Sequence, residues 1–217
     1  MDIDCETVAG SLRSQRVSPR RVAIFFITFV LGNLTTQSLP AQSVDVLYPP
    51  AQTARFTTFE AEGSVWTIAE SINPAGAIAG FYTDAGGIFH GFLRSTDGEI
   101  TSFDPPHSKD TYPSSINPQG AITGYYFDAF DVYNEAHGFL RTPDGEITTF
   151  DPPDSGDTYA LSINSLGAIT GYYTDPVGID YGFLRAPDGK ITTFRVPGSL
   201  FTYAYSINPA GAITGYD

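Results

Sequence analysis

The sequence predicts an all-β protein: a β-propeller-like array of four-stranded antiparallel blades, about four units with the last incomplete. Two observations carry this expectation. The segment Ser71-Ile72-Asn73-Pro74-Ala75-Gly76-Ala77-Ile78 returns at residues 115–122, 162–169 and 206–213, with its asparagines 44, 47 and 44 residues apart. A period in that range marks supersecondary units that are each too small to bury their own apolar face. Composition is the second observation. The chain has 22 Gly, 16 Phe and 13 Tyr but only 16% charged residues, which is strand and turn chemistry rather than helix chemistry.

The third unit shows the elements in order. Residues 158–164 read as a short extended run. Ser165-Leu166-Gly167 turns the chain where sister copies use Pro-x-Gly. Residues 168–174 are rich in β-branched and aromatic residues and read as a second strand. A loop at 175–178 leads to a third strand at 180–185. Pro187-Asp188-Gly189 is a hairpin turn, and 190–194 is the fourth strand. Pro197-Gly198 blocks extension of the ladder. Both faces of these strands are apolar, as a blade covered on both sides requires. Gly80, Gly124, Gly171 and Gly215 weaken a strand unless another backbone comes close, and blade-to-blade contact near the axis is the place expected for it.

Counted this way, residues 56–59 match a fourth strand, three full sets follow, and 204–216 supply a first and second strand. The fourth blade then lacks its third strand. An imperfect ring, completion by another copy and a fragment of a longer array all fit, with truncation the favoured expectation. An open edge would invite self-association.

Residues 1–43 read as a signal peptide with an extended n-region. Arg13, Arg16, Arg20 and Arg21 precede the ten-residue apolar run at 22–31, and small residues offer cleavage near Ala41 or Ser43. That run is short of the roughly 20 residues of a spanning helix. The expected product is secreted, at the cell surface or periplasmic, without membrane insertion after cleavage; an uncleaved anchor is the alternative. Residues 44–55 form a linker. Residues 56–217 form the repeat domain, with units near 60–103, 104–150, 151–194 and 195–217. The lone cysteine, Cys5, leaves the repeats without disulfides or a cysteine metal site. The formal charge of −13 disfavours nucleic acid and anionic membrane as partners.

The pattern Ser-Ile-Asn-Pro-x-Gly-x-Ile-x-Gly, then His-Gly-Phe-Leu-Arg, then Asp-Gly-x-Ile, resembles the bacterial extracellular HAF-type repeat, named for its His-Ala-Phe signature. His90-Gly91-Phe92 and His137-Gly138-Phe139 match with Gly in place of Ala, and Tyr181-Gly182-Phe183 departs also at the His. Where that family often has Trp two positions after the Phe, this chain has Arg94, Arg141 and Arg185. The resemblance covers about residues 57–217. It implies an exported, propeller-like protein and transfers no activity or catalytic residues.

A single active site breaks repeat symmetry, so the residues without counterparts in the sister units are the candidates for one. Trp66 stands where other units have Asp110, Asp157 and Phe201, and is either a buried anchor or a sugar-stacking ring. The longest loop, 127–135, carries Asp128, Asp131 and Glu135; Ca²⁺ is conceivable there, although the spacing matches no standard Ca²⁺ loop. His90 and His137 alternate with Tyr181, which favours packing over catalysis. Asp97, Asp144 and Asp188 fit hairpin turns, and Asp104 and Asp151 precede Pro in turns. The recurring pairs Tyr82 with Asp84, Tyr126 with Asp128, and Tyr173 with Asp175 suggest a binding rim of rings and carboxylates. The expected function is a non-enzymatic binding or scaffold module for an extracellular carbohydrate or protein, with no cofactor. The alternatives are a polysaccharide hydrolase or lyase working with Asp/Glu acid-base residues, and a fragment without independent function.

Overall fold

The computed structural model describes the strand Val22–Phe26 and residues 55–217. Three four-stranded antiparallel meanders form the body: β3 (Trp66–Ile72), β4 (Ile78–Thr83), β5 (Phe89–Arg94) and β6 (Ile100–Phe103); then β7 (Ser108–Ile116), β8 (Ile122–Asp128), β9 (Ala136–Arg141) and β10 (Ile147–Phe150); then β11 (Thr158–Ile163), β12 (Ile169–Thr174), β13 (Asp180–Arg185) and β14 (Ile191–Phe194). A two-stranded sheet of β15 (Tyr203–Ile207) and β16 (Ile213–Tyr216) follows. The first strands β3, β7, β11 and β15 lie beside one another in sequence order, and each also packs on the second strand of the preceding sheet where there is one. This is the propeller-like, all-β arrangement, with no helix among the described residues.

The three seams between the sheets that begin with β3, β7, β11 and β15 are knit by the Ser-Ile-Asn motif. The Asn73 amide Nδ2 donates to the Asn117 carbonyl, Asn117 to Asn164 and Asn164 to Asn208. The same asparagines use Oδ1 to accept two turn N–H groups, as Asn117 does from Gln119 and Ala121. Ser71, Ser115 and Ser162 accept through Oγ from the backbone N–H of Ile116, Ile163 and Ile207. Asparagine suits this place because one short side chain both closes a turn and donates across to the next sheet.

The Gly-Phe-Leu-Arg motif fills the interior. Phe92, Phe139 and Phe183 are fully buried. Each meets, edge-on, an aromatic ring of the preceding outer strand: Phe59 at 5.9 Å, Phe103 at 6.0 Å and Phe150 at 6.1 Å. The arginine two residues on lies over that same ring, Arg94 on Phe59, Arg141 on Phe103 and Arg185 on Phe150, at 4.9–5.1 Å. Burial lowers the pKa of Arg141 and Arg185. The motif glycine is needed because the outer-strand Phe of its own sheet folds over it. A Cβ at Gly138 would sit 2.8 Å from the Phe150 ring.

The second-strand glycines do face a close backbone, but not across the seam. A Cβ at Gly124 would lie 2.2 Å from the Tyr112 carbonyl oxygen of the adjacent strand in the same sheet, and 2.8 Å from Phe139. The expectation of blade-to-blade contact is thus corrected: the crowding comes from the bulged first strand of the same sheet.

The strand count is also corrected. β1 (Val22–Phe26) pairs antiparallel with β2 (Arg55–Phe59), one strand more than the sequence reading allowed. β1 lies in the expected export segment and would leave with cleavage near Ala41 or Ser43. The rest of residues 1–43, and residues 44–54 of the linker expected at 44–55, lie outside the described residues, while Arg55 begins β2.

Candidate functional site

Every first strand carries a register shift just before its constant serine, and β7 carries a second one between Ser108 and Asp110. The shift before the serine falls between Ala69 and Ser71, Pro113 and Ser115, Ala160 and Ser162, and Ala204 and Ser206. A bulge places two residues opposite one and re-aims the extra side chain. The extra residues are Glu70, Ser114, Leu161 and Tyr205, and all four line one cleft of about 410 Å³. Phe81, Tyr112, Pro113 and Tyr125 complete it.

These four equivalent positions hold four unlike chemistries: a carboxyl, a hydroxyl, an aliphatic chain and a phenol. The serine, isoleucine and asparagine that follow them are the same in all four copies. Glu70 reaches solvent through the mouth of the cleft, yet crowding by surrounding atoms raises its carboxyl above the ordinary range. The half-buried rings belong to an aromatic ladder running from sheet to sheet. It passes through Phe81, Tyr112, Tyr125, Tyr159, Tyr172, Tyr203 and Tyr216 with centroids 4.7–5.1 Å apart. Burial pushes the Tyr112 and Tyr159 phenols up to about 12. The hydrogen bond to Asp180, then burial, does the same at Tyr203. Tyr112, Tyr159 and Tyr203 are therefore neutral and offer ring faces and hydroxyls rather than phenolates.

The sequence reading missed this position. Its signal lies in the residue before the constant serine, which reads Glu, Ser, Leu and Tyr in the four copies. Only the bulge shows that this residue points into a shared space.

The residues expected to form a rim are placed otherwise. Tyr126 and Tyr173 are buried, at 6% and 7% exposure, inside the two core clusters. Their hydroxyls bond Thr149 and Thr193 on the fourth strands of their own sheets. Tyr82 occupies the same place and accepts from Ser102. Three open stacking faces do not result, because each ring lies across its own sheet.

The recurring aspartates hold turns. Asp84 Oδ1 accepts the N–H of Gly86 and Ile88, and Asp175 Oδ1 accepts those of Val177 and Ile179. In the second unit the three extra residues shift this task from Asp128 to Asp131, which accepts from Tyr133 and Glu135, while Asp128 binds only Phe130 N–H of that loop. Asn134, with φ 55°, replaces the glycine of the sister turns. The candidate Ca²⁺ loop of Asp128, Asp131 and Glu135 thus spends Asp131 on its own backbone. No group of three or more metal-binding side chains occurs among the described residues.

Trp66 is 40% exposed at the start of β3, so the expectation of a buried anchor does not hold. Its counterparts Asp110 and Asp157 reach back to the preceding sheet and accept the N–H of Phe89 and Ala136. Outside the cleft one titratable cluster stands out: His90 Nδ1 lies 2.7 Å from Asp104 and its Nε2 lies 3.6 Å from Asp84. His137 repeats the first contact with Asp151 at 2.8 Å.

No family model and no curated protein matches the chain. Among solved structures, a streptogramin B lyase is similar at 18% identity and a TM-score of 0.46, with 76% of this chain and 59% of that chain covered. A catalytically inactive virginiamycin B lyase from Staphylococcus aureus with quinupristin is similar at 17% identity and a TM-score of 0.45, with 77% and 61% covered. The chain thus spans about three fifths of the length of these two structures.

Proposed function

We propose that the chain is an exported, non-enzymatic binding module built from HAF-like repeats, and that its ligand is a neutral or amine-bearing oligosaccharide held in the bulge-lined cleft. One observation carries this reading: Glu70, Ser114, Leu161 and Tyr205, four unlike residues at one equivalent position of the repeat, all line the same cleft. Ring faces at Tyr112 and Tyr125 suit the apolar faces of sugar rings, while Glu70 and Ser114 supply directional hydrogen bonds. The acidic surface argues for a neutral or cationic ligand. The lone carboxyl among the cleft-lining side chains is a poorer basis for glycoside hydrolysis, which works with two acids about 5–9 Å apart.

The test is a glycan array and a peptide array probed with the full chain and with Glu70→Gln and Tyr205→Ala. Glycan signal that falls about tenfold or more in either variant supports the cleft. No signal on glycans, signal on peptides alone, or glycan signal unchanged in both variants overturns it. Export is tested separately by N-terminal mass spectrometry of the extracellular or periplasmic product, expected to begin near residue 42 or 44.

A further inference from the structure

We propose that the cleft selects an amino sugar with a free primary ammonium, which pairs with Glu70 and which the N-acetylated sugar cannot replace; this rests on the reading of the cleft as a glycan site. The residues that make the choice belong to the first two complete sheets. Glu70 is the extra residue of the β3 bulge between Ala69 and Ser71. Phe81 stands on β4, Tyr112 and Ser114 on β7 and Tyr125 on β8, and all five line the cleft.

The Glu70 carboxylate has no counter-charge. No Lys, Arg or His side chain lines the cleft. Surrounding atoms desolvate the carboxylate, and no cation or hydrogen-bond donor among the described residues offsets this. Its charge instead reaches Tyr125 and, after burial, adds to the rise of that phenol. A partly desolvated carboxylate without a partner is stabilised by a cation that enters beside it. The counterparts of Glu70 are Ser114, Leu161 and Tyr205, so one carboxylate alone anchors the ligand.

The other polar groups suit the same ligand. Neither the Tyr112 nor the Tyr125 phenol has a hydrogen-bond partner among the described residues. With Ser114 they offer hydroxyl oxygens in the same cleft as the carboxylate. An ammonium brings three N–H donors and no acceptor, which complements a lining of oxygens. An acetamide brings one N–H and a carbonyl oxygen, carries no charge and leaves the carboxylate uncompensated. Phe81 meets Tyr112 at 5.1 Å, and Tyr112 stacks on Tyr125 at 5.1 Å. This wall of rings keeps water from one side of the ion pair, which strengthens it, and the ring quadrupoles attract the cation. A lysine ammonium would meet the same oxygens, but it ends a flexible four-carbon stem whose ordering opposes binding. On an amino sugar the ammonium is attached directly to the ring, and the ring hydroxyls can meet Ser114 and the phenols.

The test is calorimetric titration of the full chain, just below neutral pH and at physiological salt, with a β-1,4-linked glucosamine tetramer, its fully N-acetylated counterpart and a lysine tetrapeptide. The glucosamine tetramer is expected to bind about tenfold or more tightly than the N-acetylated one. Glu70→Gln keeps the shape and removes the charge. It is expected to erase the preference by weakening the glucosamine tetramer about tenfold or more. Glu146→Gln removes an exposed carboxylate in the hairpin between β9 and β10. It is expected to leave both affinities unchanged, because the Glu70 pair and not the net charge of −13 makes the selection. No preference in the wild-type chain, a preference that survives Glu70→Gln, or an equal loss in Glu146→Gln overturns the proposal. A lysine tetrapeptide that binds as tightly as the glucosamine tetramer overturns it in favour of a peptide ligand. Equal binding of both tetrasaccharides sinks the amine alone and leaves the glycan reading standing, whereas binding of neither sinks both.

Discussion

The Asn73 side-chain amide donates to the main-chain carbonyl of Asn117 across 3.3 Å, and Asn117 hands the same bond on to Asn164 at 3.2 Å. Each asparagine is thus both clamp and clamped, and the repeat period measures the distance from one clamp to the next. Asn117→Ala deletes three hydrogen bonds and strands buried backbone groups, so it is expected to destabilise the chain by about 2–4 kcal/mol. Asn208, exposed and receiving Asn164 at the last seam, binds through its own side chain the Ala212 N–H alone among the described residues, so Asn208→Ala is expected to cost about 0.5–1.5 kcal/mol. Urea unfolding of both variants checks this; equal losses would show that the relay across the inner seams adds no stability.

Gly138 lies under the Phe150 ring so closely that an added methyl carbon would sit 2.8 Å from it. Gly138→Ala is expected to cost about 1–3 kcal/mol as the ring and its strand move away. Phe150→Leu on that background should recover part of the loss, because the smaller side chain vacates the space. A double-mutant cycle measures the coupling. Strict additivity would show that the glycine serves the backbone and not the ring.

The repeat made the architecture legible, because two independent periodicities agree in it: the Ser-Ile-Asn spacing and the strand–turn alternation within each unit. In the third unit, residues 158–164 and 168–174 read as strands and the structure has β11 (Thr158–Ile163) and β12 (Ile169–Thr174). The site was not legible for the same reason. Recurrence drew attention to Tyr126 and Tyr173, which recur because they pack. Glu70, Ser114, Leu161 and Tyr205 share no chemistry, and a bulge, which alone aims them together, leaves no mark on a period-2 pattern. Asp84 and Asp175, expected on a rim, hold turns instead; the loop insertion moves that task to Asp131 in the second unit, and only the hydrogen bonds show the shift.

Asp131 accepts two backbone N–H groups in the longest loop, at 2.9 Å from Tyr133 and 2.6 Å from Glu135. Asp131→Ala is expected to release this loop. Amide exchange at 133–135 should accelerate at least about tenfold while the Phe139 core stays protected. Exchange unchanged at 133–135 would mean that the loop is held by other contacts.

His90 stands between two carboxylates, and its titration has a defined sign. Partial burial works against the imidazolium. The hydrogen bond and charge of Asp104, then those of Asp84, outweigh it and raise the pKa. A raised histidine stabilises the fold fully below its unfolded value of about 6.5, and this contribution is lost as pH rises through the folded value. The turn aspartates act oppositely. Backbone hydrogen bonds, from Ile88 foremost at Asp84 and from Tyr133 foremost at Asp131, lower their pKa. Their contribution is present above about 3.9 and is lost as pH falls through the folded values. Stability is therefore expected to be greatest between these limits, falling on the acid side through the aspartates and on the alkaline side through His90. Asp104→Asn should lower the His90 NMR titration midpoint and flatten the alkaline decline of the urea midpoint. A His90 midpoint unmoved by Asp104→Asn would show that the pair is a contact without electrostatic consequence.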